Sequence, residues 1–81
     1  MYVLMKIEIK NNYDGSLEYM QDEVIGTYEK VDDAIEVMNA NADKTIANGY
    51  FDKVIFRSTK RVKLHNGGTA YMIYAIHECH L

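Results

Sequence analysis

The chain has 81 residues, 48% of them apolar, and a formal net charge of −3 at pH 7. That suffices for one hydrophobic core but not two, so 1–81 reads as a single domain and wholesale disorder is excluded. The acidic balance argues against blanket affinity for nucleic acid, though not against a local basic patch.

Residues 2 to 10 alternate, with Val3, Met5, Ile7 and Ile9 on one face and Lys6, Glu8 and Lys10 on the other, which predicts a half-buried strand. The start lacks a basic region followed by a sustained apolar stretch, so it reads as a strand and not as a secretory signal. No segment reaches the roughly 20 apolar residues of a membrane span, so no membrane association is expected. Asn11 to Ser16 is turn chemistry throughout, and the polar stretch to Glu23 reads as a loop. Val24 to Tyr28 is a short second strand in which Gly26 marks a bulge or a close approach.

Val31, Ala34, Ile35, Met38, Ala42, Thr45 and Ile46 recur at helical spacing and form one apolar stripe. Asp32 or Asp33 is the expected N-cap, and Asp33 with Glu36 has capping-box spacing. Gly49 is placed to end the helix in the left-handed conformation. Asn39, Asn41 and Asn48 weaken its propensity, so the helix depends on docking.

Lys53 to His77 reads as one long C-terminal β-hairpin. Its first arm has Val54, Phe56, Val62 and Leu64 on one face and Ile55, Arg57, Thr59, Arg61 and Lys63 on the other. Asn66-Gly67-Gly68 is the turn, supplying positive φ values. The second arm is apolar on both faces, Tyr71, Ile73 and Ala75 on one, Met72, Tyr74 and Ile76 on the other. One helix can cover only one face, so Met72, Tyr74 and Ile76 or their counterparts are expected to meet a partner, most simply a second copy. The fold expected is α+β in the order β-β-α-β-β, a small antiparallel sheet with one helix packed on one face. The opening Tyr2-Val3-Leu4 strand, and Gly26-Thr27-Tyr28 running into Asp32-Asp33-Ala34, resemble short uncharacterised proteins of Gram-positive bacteria and their phages. The resemblance covers about the first half of the chain and implies no activity.

Two clusters bear on chemistry. His77, Cys79 and His80 are the candidate metal ligands. On a strand His77 and Cys79 share a face while His80 points away, and zinc ordinarily takes three or four ligands. A Cys79–histidine nucleophile pair would need a third orienting group and a cleft. Ordinary polar residues at a frayed chain end account for the cluster more simply, so no metal, cofactor or catalytic residue is expected. Cys79 is the single cysteine, which forbids an internal disulfide and points to a reduced, cytoplasmic setting.

The other cluster is basic. Lys53, Arg57, Lys60, Arg61 and Lys63 are five of the nine basic residues, and Tyr71 or Tyr74 could stand beside them as stacking rings for nucleic acid. Against that, basic residues also solubilise an exposed sheet face and pair with the chain's own acids. Residues 8 to 36 carry nine acids (Glu8, Asp14, Glu18, Asp22, Glu23, Glu29, Asp32, Asp33 and Glu36) against Lys10 and Lys30. The expectation is a non-enzymatic protein-interaction or regulatory domain, a homodimer presenting an acidic face to a basic protein partner. A nucleic-acid-binding module is the alternative, and a small metal protein or enzyme a distant one.

Overall fold

The computed structural model describes residues 1–12 and 14–80, so Tyr13, part of the expected turn, lies outside the described residues. The elements are β1 (Tyr2–Asn11), β2 (Leu17–Tyr28), α1 (Val31–Ala47), β3 (Lys53–Arg57), β4 (Arg61–His65) and β5 (Ala70–Glu78). The fold is α+β as expected, with five strands among the described residues in place of four. All five form one sheet in the order β2-β1-β5-β4-β3, every pairing antiparallel.

Two expectations about the strands need correcting. β2 begins at Leu17 and is 12 residues long, where a loop had been expected as far as Glu23. Its first eight residues are exposed, so no core face imprints an alternation on them. Register shifts at Leu4/Met5 and Glu8/Ile9 leave Ile25 and Met20 as extra residues, which breaks the period further. What fixes β2 is its ladder to β1, where Lys6 stands opposite Glu23 and Lys10 opposite Glu18.

The single long hairpin is in fact three strands. The chain reverses at Ser58-Thr59-Lys60, where the Ser58 N–H donates to the Arg61 carbonyl at 2.8 Å. Three polar residues in a row place no apolar side chain there to hold an arm straight. The second reversal uses Asn66 as a brace, its Oδ1 accepting from the Gly68 N–H at 2.8 Å and the Ala70 N–H at 3.2 Å. Of the expected positive φ values in that turn, only that of Gly67 is present, at 82°.

The helix starts one residue before the expected caps. Its N-cap is Lys30, which makes no side-chain capping bond, and Asp32 and Asp33 fall inside the first turn. There they oppose the positive end of the helix dipole and cap nothing. Gly49 ends the helix at φ 84°, its N–H donating to the Ile46 carbonyl at 3.0 Å.

Ala34, Met38 and Ala42 of α1 share one core cluster with Phe51 and with Leu4, Val62, Leu64, Met72, Tyr74 and Ile76 of the sheet. The face expected to meet a partner is therefore the one under the helix. Met72, Tyr74 and Ile76 pack against Ala34, Met38 and Ala42, so the helix and not a partner covers them. Tyr74 reaches the helix through a 2.6 Å hydrogen bond with the Thr45 hydroxyl. Since Thr45 donates its own proton to the Asn41 carbonyl at 2.9 Å, the Tyr74 hydroxyl is the donor.

Candidate interaction surface

The strand register lays out the opposite face of the sheet as rows. Residues directly opposite in an antiparallel ladder point to the same side. Reading from β2 through β1 and β5 to β4, one row is Val24, Met5, Ala75 and Arg61, the next is Asp22, Ile7, Ile73 and Lys63, and the third is Tyr19, Ile9, Tyr71 and His65. Val3 and His77 extend the rows at one end, and Phe56 and Lys53 continue the second and third rows onto β3.

The middle of this face is apolar. Val3, Met5, Ile7 and Ile9 are half-buried, while Ile73 and Ala75 are buried although the helix lies on the other side. Arg61 and Lys63 on β4 stand directly opposite Ala75 and Ile73 in the ladder. Lys63 leans inward, with its Nζ 4.7 Å from the centre of the Tyr71 ring. His65 stacks on the same ring at 4.6 Å and 24°. The Tyr71 hydroxyl accepts from Asn11 Nδ2 at 3.1 Å. The His65 Nε2 lies 2.7 Å from the Gly68 carbonyl, so that nitrogen carries the proton.

Charge divides the face by strand. Arg61, Lys63 and Lys53 stand on the β4–β3 side and Asp22 on the β2 side. The expected basic ribbon is only partly assembled. Arg57 is opposite Val62, which turns it to the helix side, where it donates to Asn39 Oδ1 at 2.9 Å and Asp43 Oδ1 at 3.2 Å. Lys60 is in the β3–β4 turn, and Lys53 Nζ is 3.3 Å from Asp52 Oδ1. The register shift between Val54 and Phe56 ended the simple alternation on which an unbroken stripe depended.

At the C-terminal end, the Cys79 N–H donates to the Met1 carbonyl at 2.8 Å, so the chain there is paired and not frayed. His77 and His80 are exposed, Cys79 is half-buried, and His80 Nε2 is 3.8 Å from Glu78 Oε1. Among the described residues no three of His, Cys, Asp and Glu converge, so His77, Cys79 and His80 are not brought together. No pocket opens among the described residues, and no described helix is long and apolar enough to cross a membrane.

Several exposed apolar side chains on the outer strands were not singled out in the sequence. Leu17, Tyr19, Met20 and Val24 of β2 and Val54, Ile55 and Phe56 of β3 are about half exposed or more. Only the three consecutive apolar residues of β3 gave a local signal. Compared with models of protein families, with curated proteins and with solved structures, the chain gives no match in any of the three.

Proposed function

We propose that the protein is a small non-enzymatic interaction domain that works as a homodimer, two copies meeting through the helix-free face of the sheet. The observation that carries this is the apolar row of Val3, Met5, Ile7 and Ile9, still half-exposed on a face over which no helix lies among the described residues, beside the already buried Ile73 and Ala75. The broad faces of the molecule measure about 40 by 27 Å. That is room for the roughly 800 Å² per partner of a standard interface. Pairing in this way leaves the helix outermost, with Asp32, Asp33 and Glu36 exposed for a positively charged protein partner. The single cysteine fits a reduced, cytoplasmic setting.

Light scattering from micromolar concentration upward is the test. The wild-type chain should show twice the chain mass, falling on dilution, and Ile7→Asp should be monomeric with an unchanged far-ultraviolet spectrum. A wild-type mass that stays monomeric at every concentration sinks the proposal. Lys53, Arg61 and Lys63 beside the His65–Tyr71 stack support a second reading, in which the same face takes single-stranded nucleic acid. We expect no binding of mixed DNA or RNA oligonucleotides tighter than about 10 micromolar at physiological salt, far weaker than specific complexes. Sub-micromolar binding that weakens steeply with salt and is lost in Arg61→Glu/Lys63→Glu would transfer the face to nucleic acid.

A further inference from the structure

We infer that the two copies meet about a twofold axis running parallel to the strands between β1 and β5, so that Asp22 of each copy faces Lys63 of the other. The inference rests on the reading of the helix-free face as a self-association surface, and adds which of the possible pairings is used.

A symmetric face-to-face dimer buries the same patch on both copies, with the axis lying in the plane between the sheets. Two directions keep the strands of the copies aligned, as stacked sheets prefer. With the axis across the strands, each strand lies over itself. Arg61 and Lys63 would then oppose the same two cations of the partner copy, and Asp22 would oppose β2 of the partner, which offers it no cation on this face. Like charges brought together at an interface disfavour that arrangement. With the axis along the strands, β1 lies over β5 and β2 over β4. Ile7 then faces Ile73, Met5 faces Ala75 and Ile9 faces Tyr71, apolar on apolar through the centre. In the same rows Asp22 faces Lys63, Val24 faces the stem of Arg61, and Tyr19 faces His65. The row order that β1 and β5 impose thus makes the face complementary to itself in one direction only.

Aligned sheets are rotated by about 30°, which at the distance of β2 from the axis slides the rows by about one residue. Lys63 stands between Arg61 and His65 on its own face, and its long side chain spans a slide of one residue, so Asp22 remains within its reach. The Lys63 amine lies over the Tyr71 ring, above the sheet and within reach of a carboxylate on a second layer about 10 Å away.

Two variants, Asp22→Cys and Lys63→Cys, each in a Cys79→Ser background, separate the arrangements. A bis-maleimide spanning about 10 Å, the spacing of stacked sheets, is added to each alone and to the mixture. Cross-linked dimer should form in the mixture and hardly at all in either variant alone, because two Asp22 positions lie about three strand spacings apart, roughly 14 Å within the sheet plane. Charge reversal gives an independent arm. Asp22→Lys should weaken dimerisation roughly fivefold to tenfold, since two exposed pairs are lost together. Adding Lys63→Asp should restore it.

Cross-linking of each variant to itself, or a dimeric mass with no cross-link in the mixture, overturns the strand-parallel axis while leaving the homodimer standing. A monomeric mass for the parent chain overturns both.

Discussion

In the turn between β1 and β2 one carboxylate organises the backbone. Asp14 Oδ1 accepts from the Ser16 N–H at 2.9 Å and from the Ser16 hydroxyl at 2.6 Å, while Asn12 Nδ2 donates to the same hydroxyl oxygen at 3.1 Å. The two bonds from Ser16 hold the Asp14 carboxyl below its ordinary value of 3.8, the side-chain bond contributing most. A depressed carboxylate stabilises the folded turn above the ordinary value, and that contribution disappears as pH falls through the folded-state value. In a carbon-detected NMR titration Asp14 should therefore titrate below 3.8, and Ser16→Ala should move it back up. Equal midpoints in both proteins would show that the bonds from Ser16 do not hold in solution. The turn was legible, because Asp-Gly-Ser is turn chemistry wherever it occurs, but the bonds from Ser16 to Asp14 were not. The Asn66 brace was not, since a sequence does not say which side chain will fold back on its own loop.

The helix is the element in which periodicity and structure agree best, and the disagreement within its stripe is informative. Met38 is fully buried, between Ala34 and Ala42 one turn to either side, whereas Ile35 is only half-buried at the flank of the contact. Met38→Ala should cost about 2–5 kcal/mol. Ile35→Ala should cost about 1 kcal/mol, nearer the average substitution. Denaturant unfolding decides this, and equal losses at the two positions would mean that the helix is rotated from its place here. Strand β1 was equally legible, since both its neighbours use its alternation. β2 was not, because an edge strand with exposed residues and two bulges has no period to read. Even there Gly26 left a mark, lying beside the Leu4/Met5 register shift. A Cβ at Gly26 would come within 2.6 Å of the Tyr28 hydroxyl oxygen, whose ring folds back over the strand. The split of β3 from β4 escaped notice for a related reason. Val54, Phe56, Val62 and Leu64 fit one alternation only if the polar residues between them continue it.

For the molecule as a whole, the sequence showed that one sheet face must lack a helix, and misjudged which. Odd and even positions of β5 are both apolar, so composition could not choose between Tyr71-Ile73-Ala75 and Met72-Tyr74-Ile76. The choice is made at long range, by Leu4 opposite Ile76 and Val62 opposite Tyr74, which commit the even positions to the helix side. The same long-range pairing has a consequence for how the protein is assembled in time. β1, the earliest strand, lies between its immediate successor β2 and the last strand β5. A growing chain can form the β1–β2 hairpin at once, but its other side and Leu4 wait until residues 70–78 arrive. Such distant closure slows folding compared with a fold of neighbouring hairpins. It also brings Met1 beside Cys79, with backbone groups 2.8 Å apart. A circular permutant that joins the ends through a short Gly-Ser linker and opens between Asp14 and Gly15 would make β1 and β5 neighbours in sequence. It should melt within about 5 °C of the parent and refold faster, as stopped-flow measurements can check, and slower refolding would mean that β1–β5 closure does not limit the rate.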